Sequence, residues 1–370
     1  MRRFTSHPIS VLFLLAWIAP ARAQQPEAPR FHGRLVIDTV HSLAIQGNLL
    51  GDPADQQIAV YLPPGYDRYP TTRYPTVYLL PSFDGSATTW TRAWPRLFGP
   101  RAGIAVVDSV MAAARSPEMI VVMPNGRNRY HGSFFVNSSV TGNWGDFLAV
   151  DLVAEIDRKY RTIPKAESRG VAGHSMGGTA AVWAAMHHPD VFGAVYGLSP
   201  CCLAFVDYGP TGQEVWERLP GYKNFDELER AYRSGDFPAM VMIALAAAIS
   251  PNSSRRPFFV DLPFSSLGGN PRPLEPAYSK WQVAFPLAQL DRLGEHVRSL
   301  RGIRFDHGNA ESQPLTEAAR RFSRALSERA IPHTYEVYDG THHNRIMDRL
   351  ASRVLPFFGK SLVFPAPDVR

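Results

Sequence analysis

Apolar positions along this chain come in two alternating patterns. Thr76 to Leu80 and Met119 to Met123 are short, nearly continuous apolar runs, closed by Pro81 and by Pro124-Asn125-Gly126. Strands covered on both faces of a parallel sheet read this way. Leu35 to Val40 and Ile58 to Leu62 read as opening strands, the second stopped by Pro63-Pro64-Gly65. The spacing then changes: Leu148, Leu152, Ile156 and Tyr160 recur at helical intervals, which predicts an amphipathic helix over 146–160. A strand at Gly170 to Gly173, a helix over Ala180 to His187 and a buried strand at Phe192 to Leu198 follow. Near the end the rhythm returns, with a strand at Ile303 to Asp306 and a helical face of Leu315, Ala318, Ala319, Phe322 and Leu326. Tyr335 and Val337 suit one more strand, and Ile346, Leu350 and Val354 a last helix. Such alternation predicts an α/β fold with a mostly parallel central sheet covered by helices.

Between Cys201 and Arg301 the rhythm breaks. The segment is rich in aromatic residues, among them Trp216, Tyr222, Phe225, Phe258, Phe264, Trp281 and Phe285, and has Pro-rich turns such as Asn270-Pro271-Arg272-Pro273. A hundred residues is too long for a connecting loop, so a cap insertion over about 201–300 is expected beside the sheet edge, before the last strands. Pockets form at such junctions.

The first residues do not join this pattern. Arg2 and Arg3, the apolar stretch Ile9 to Ala19 and the small-residue site Ala21-Arg22-Ala23 predict an export signal over 1–23, with the mature chain starting near Gln24 and one α/β domain filling 24–370. The apolar stretch is shorter than the roughly 20 residues a bilayer requires, so no stable membrane insertion is expected. A periplasmic or extracellular address follows as an expectation.

Charge narrows the picture little. Removing Arg2, Arg3 and Arg22 from 39 basic residues leaves 36 against 33 acidic ones, a balance of +3 that makes no demand for nucleic acid or an anionic surface. The two cysteines, Cys201 and Cys202, are adjacent; a bridge between neighbours is strained, so buried thiols or a local turn feature are expected. Neither cysteine has metal-site spacing, the adjacent His342 and His343 lack a helix-spaced third ligand, and the other histidines are scattered in sequence. No metal and no cofactor are expected.

The chemistry concentrates at Gly173-His174-Ser175-Met176-Gly177, followed by Gly178. Glycine, any residue, serine, any residue, glycine between a strand and a helix describes a nucleophile elbow, a turn so tight that side chains at the glycine positions would collide with neighbouring elements. Ser175 is the expected nucleophile. Serine requires a base to take its proton and a carboxylate to orient that base. His342, after the strand at Tyr335 to Tyr338 and the turn Asp339-Gly340, is the preferred base, with His343 its rival. Glu311, several residues beyond the strand Ile303 to Asp306, is preferred as the acid over Asp306, which sits at the strand's end. His307 reads as an ordinary buried or capping histidine. Two backbone donors must meet the developing oxyanion. Met176 supplies one by the elbow's geometry, and Ser82 or Phe83 the other, because Pro81 has no N–H.

Three stretches carrying these residues resemble the Putative esterase family of α/β-hydrolases, the branch with esterase D, the antigen 85 mycolyltransferases and the feruloyl and acetyl-xylan esterases. They are 144–178 with Phe192 to Tyr196, then Gly308-Asn309-Ala310-Glu311, then Tyr338-Asp339-Gly340-Thr341-His342. The resemblance implies a triad of Ser175, Glu311 and His342 and an oxyanion donor at Phe83. Two positions depart from the family pattern: Pro81-Ser82 stand where histidine-glycine is common, and the acid is more often aspartate. A serine carboxylic ester hydrolase acting on a small-molecule or carbohydrate-linked ester, such as a feruloyl or acetyl sugar ester, is expected. Acyl transfer to a sugar or lipid alcohol is the alternative, since it uses the same triad.

Overall fold

A computed structural model describes residues 31–205, 209–265 and 271–365, with the side chains of 209–213 left out. The expected export signal at 1–23 lies outside the described residues.

Eight strands make one sheet: β1 (Arg34–His41), β2 (Asp55–Leu62), β3 (Thr76–Leu80), β4 (Ile120–Pro124), β5 (Arg169–His174), β6 (Ala194–Leu198), β7 (Gly302–Gly308) and β8 (Thr334–Tyr338). They lie in the order β1-β2-β4-β3-β5-β6-β7-β8. β2 runs antiparallel to both neighbours, and every other pairing is parallel. This is the mostly parallel, helix-covered α/β sheet that the alternating pattern predicts, in the arrangement that the resemblance to α/β-hydrolases implies.

The continuous apolar runs have a direct cause. In β3, Tyr78 and Leu80 enter one hydrophobic core while Val77 and Leu79 enter the other, and all are buried. Successive side chains of a strand point to opposite faces, so a strand with both faces covered has no polar positions left. Helices α1 (Gly103–Ala112) and α10 (346–361) cover one face. The other is covered by α2 (144–159), α3 (Met176–His187), α8 (Pro286–Ser299) and α9 (Gln313–Glu328). A π-helical stretch, Phe147–Leu152, interrupts α2.

The helix behind the serine starts earlier than expected. α3 starts at Met176, directly behind Ser175, and not after Gly178. Gly177 and Gly178 read locally as helix breakers, but they lie in the first turn of the helix, and they are glycine because a side chain would strike Leu80, Pro81 and Leu198 backbone atoms. The segment after Cys201 is largely helical, with α4 (Gly209–Arg218), α5 (Phe225–Arg233), α6 (Phe237–Ile249) and α7 (Ala277–Ala284). α6 buries nearly all round, from Ala239 to Ala248, so it has no amphipathic period to read. α8 belongs to the sheet-covering layer, where His296 Nδ1 lies 3.1 Å from the Met186 carbonyl of α3. Among the described residues no helix is long and apolar enough to cross a membrane.

Candidate active site

The parallel strands bring the loops after β3, β5, β7 and β8 to one edge of the sheet, the edge where open α/β sheets bind ligands. Ser175, Glu311, His342 and Phe83 lie on these loops, and Met176 opens the helix directly behind Ser175.

Ser175 follows β5 with φ 57° and ψ −116°, a backbone region that side-chain-bearing residues enter only when their surroundings force it. The surroundings are explicit. A Cβ on Gly173 would lie 2.4 Å from the Gly177 carbonyl oxygen, and one on Gly177 would lie 2.5 Å from that of Pro81. Glycine is required at both positions, and the tight turn presents the Ser175 hydroxyl above the sheet.

Ser175 Oγ–H donates to His342 Nε2 at 2.9 Å, and His342 Nδ1–H donates to Glu311 Oε2 at 2.6 Å. The loops carrying the two partners press together, since a Cβ on Gly308 would meet the Gly340 carbonyl oxygen at 2.2 Å. The Glu311 side chain is fully buried. Its Oε1 accepts the Gly308 N–H and the Ser199 hydroxyl, each at 2.7 Å. Burial pushes this carboxyl up, but the hydrogen bonds from His342, Ser199 and Gly308 outweigh it, so the net pKa lies below the ordinary glutamate value.

Of the rival residues, Asp306 is fully buried and committed elsewhere, accepting from Arg349 Nε and from the Tyr196 hydroxyl, each at 2.6 Å. His307 lies 2.5 Å from the Tyr335 hydroxyl and 2.8 Å from the Gly308 carbonyl and touches neither His342 nor Glu311. His343 packs beside Phe98, with burial and then the neighbouring His342 pushing its pKa down to about 4.

Sequence distance hid one relationship. His174, scattered from the other histidines in sequence, joins His342 and His343 with possible ligand atoms within 4.8 Å of one another. It acts on the base through the backbone: its buried Nε2–H donates to the His342 carbonyl at 2.7 Å. Burial, followed by His342, drives its pKa well below the ordinary value, so the ring is neutral. Ser199 was also missed. It follows β6 with φ 41° and joins the acid to the Tyr338 hydroxyl; only its place at the C-terminal end of a central strand could have signalled it.

In the loop after β3, the Asp84 N–H is taken by the His131 carbonyl at 2.7 Å and the Gly85 N–H by that of Ser82 at 2.9 Å. That leaves the amides of Ser82 and Phe83 as the loop donors outside these backbone hydrogen bonds. A cavity of about 610 Å³ opens over Ser175 and His342, with Phe83, Phe98, Phe134, Phe237, Met242 and Leu315 in its wall. Cys201 and Cys202 border it as thiols with no disulfide between them. A second cavity, of about 660 Å³, lies in the cap between Leu219 and Ala277 and holds no triad side chain.

The chain matches the model of the family described as "Putative esterase" over residues 53–347. It is 27% identical over 141 residues to an endo-1,4-β-xylanase/feruloyl esterase of Xylanibacter ruminicola, a stretch covering 37% of this chain and 18% of that protein. Among solved structures, a ferulic acid esterase superposes with a TM-score of 0.61 at 19% identity, covering 90% of this chain and all of that one. An S-formylglutathione hydrolase from Agrobacterium tumefaciens gives 0.55 at 15% identity, over 90% and 98%. At such identities the structures speak for the fold alone.

Proposed function

We propose, from the premise that this chain belongs to the Putative esterase family and is a carboxylic ester hydrolase, that it works through an acyl-enzyme on Ser175 and prefers esters of apolar, aryl-type acids. In this reading Ser175 Oγ attacks the ester carbonyl as His342 Nε2 takes its proton. The imidazolium that forms is stabilised by the Glu311 carboxylate, and the oxyanion by the amides of Phe83 and Met176. His342 then hands the proton to the departing alcohol, activates a water, and releases the acid.

The observation that carries this reading is the unbroken hydrogen-bonded path from Ser175 through His342 to a buried, ionised Glu311. The apolar wall of the 610 Å³ cavity supports an aryl acyl group over an acetyl one, because an aromatic ring can lie against Phe83, Phe134 and Phe237 while an acetyl group is too small to reach most of that wall. The feruloyl esterase named among the relatives agrees. The basic start, apolar stretch and small-residue site of 1–23 support export with cleavage near Gln24, which the mass of the secreted chain tests.

The experiment is a panel of feruloyl, acetyl and short aliphatic esters on the purified protein, run beside Ser175→Ala. Feruloyl esters should have the highest kcat/KM, and Ser175→Ala should abolish turnover and labelling by a fluorophosphonate. Turnover retained by Ser175→Ala overturns the serine mechanism, and acetyl esters outpacing feruloyl ones overturn the acyl preference.

A further inference from the structure

Behind the loop after β3 lies a buried histidine that the proposed chemistry does not use. His131 is 4% exposed, and both of its ring nitrogens face carboxylates: Nδ1 lies 2.7 Å from Asp84 Oδ1 and Nε2 lies 2.7 Å from Glu229 Oε2. Carboxylate oxygens only accept, so a ring with both nitrogens at hydrogen-bond distance to them is an imidazolium donating twice. Asp84 belongs to the loop that carries Phe83, and Glu229 to helix α5 of the cap. One cation thus ties two elements whose chain positions differ by more than a hundred residues.

The tie reaches the site through the backbone. The His131 carbonyl accepts the Asp84 N–H at 2.7 Å. The next residue, Gly132, is pressed so closely to the site that a Cβ there would lie 2.5 Å from the Phe83 ring and 3.0 Å from Met176 Sδ. The two residues read as oxyanion donors therefore rest on the segment that His131 anchors. The Tyr232 ring of α5 lies tilted against the His131 ring, centroids 4.3 Å apart, and donates its hydroxyl to Asp84 Oδ2 at 3.0 Å, and Phe237 meets the Phe83 ring at 5.3 Å.

We propose that His131 is a positioning residue whose imidazolium clamps the loop bearing Phe83 to cap helix α5, holding the oxyanion amide in place, and that losing its proton releases the clamp and slows both steps that pass through an oxyanion, acylation and deacylation. This inference rests on the serine-esterase reading above. The groups facing the ring are Asp84 from the loop after β3, Glu229 and Tyr232 from α5, and Arg127 from its own loop. Arg127 Nη2 lies 3.2 Å from Nδ1 while Arg127 Nε pairs with Asp84 at 2.9 Å. On the far side, Arg233 Nε donates to Glu229 at 2.8 Å. Burial alone pushes the ring down and Arg127 adds to that, but the hydrogen bonds to Asp84 and Glu229 prevail and the balance lies above the ordinary histidine value. A raised histidine pKa keeps the clamp intact below the ordinary value and loses it as pH rises through the folded one. The effect therefore belongs on the alkaline side.

The test pairs the pH dependence of kcat for a nitrophenyl ester with NMR titration of the His131 ring, assigned by His131→Asn, in wild type, Glu229→Gln and Ser175→Ala. Removing one oxyanion donor outright costs about 10² to 10³ in kcat, so His131→Asn, which loosens a donor without deleting it, is expected to lower kcat about tenfold with KM nearly unchanged and to remove the alkaline fall. Glu229→Gln keeps the shape of the partner and should move the ring titration and the alkaline fall to lower pH together. The proposal is overturned if Glu229→Gln moves the ring titration while the kcat profile stays put, or if His131→Asn retains the wild-type alkaline fall. A His131→Asn protein that does not fold leaves the Glu229→Gln comparison to decide. Turnover retained by Ser175→Ala sinks the serine reading separately, since the ring titration needs no turnover.

Discussion

Ser199 and Glu311, 112 residues apart in the chain, meet at 2.7 Å with the serine hydroxyl donating to the carboxylate oxygen that His342 leaves unused. The acid is thus held from both sides. Its long side chain reaches over from beyond β7, while Asp306, inside the strand, which runs on to Gly308, serves Arg349 and Tyr196. The longer arm expected of a glutamate is given its fixed geometry by this contact and by the Gly308 amide.

Ser199→Ala should expose how much that contact matters. A hydrogen bond to a charged group contributes about 1.5–3 kcal/mol, and part of its loss will appear as misorientation of His342. We expect kcat/KM to fall about tenfold with little change in folding stability. Because Glu311 sits below its ordinary pKa partly through Ser199, the acid limb of the pH–rate profile should move to higher pH. An unchanged profile assigns the contact no catalytic consequence.

Glu311→Gln and Asp306→Asn should separate chemistry from stability. Replacing the acid of such a triad by its amide costs roughly 10⁴ in kcat, because the base is held in the wrong tautomer, while folding is expected to survive. Asp306→Asn leaves the buried Arg349 guanidinium short of its partner, a loss on the order of 3–5 kcal/mol, while activity per folded molecule stays within a few-fold. Circular dichroism melts beside active-site titration measure both. The reverse outcome makes Asp306 the acid.

Gly173→Ala should damage the elbow itself. The added methyl meets the Gly177 carbonyl at 2.4 Å, a backbone atom that has no rotamer to escape into. Overpacking a tight site costs about 1–3 kcal/mol, and the denaturation midpoint should fall accordingly. Fluorophosphonate labelling should fall further than stability does, because the hydroxyl is displaced in whatever still folds.

Acid should act on the far end of the sheet as well. Glu336 is pushed down to about 2, first by the hydrogen bond from Arg349, against burial, with Arg304 and Arg353 adding to it. A depressed carboxylate contributes stability that is fully present above its unfolded value, near 4.5, and is lost as pH falls toward the folded one. The melting-temperature difference between wild type and Glu336→Gln should be constant above pH 4.5 and shrink steadily toward pH 2. A difference that does not narrow across that window overturns the assignment.

Much of this protein is local, and local features can be read from sequence. The runs at Thr76 to Leu80 and Met119 to Met123 read as strands covered on both faces, because a nearly continuous apolar run suits no half-exposed element. The elbow was legible because its glycines answer steric demands made within five residues and by the adjoining strand end. The rhythm likewise placed Ser175, Glu311 and His342 each behind a strand, while their order as nucleophile, acid and base was what the resemblance implied.

What only the tertiary structure decided are relationships with no sequence period. The helix α6 was invisible because burial on every side erases amphipathicity. The partners of Glu311, the approach of His174 to the His342 carbonyl and the clamp of His131 between Asp84 and Glu229 join residues that share no helix face and no strand register. Contacts of that kind are set by which strands lie side by side. The chain records where strands begin and end, and packing chooses their neighbours.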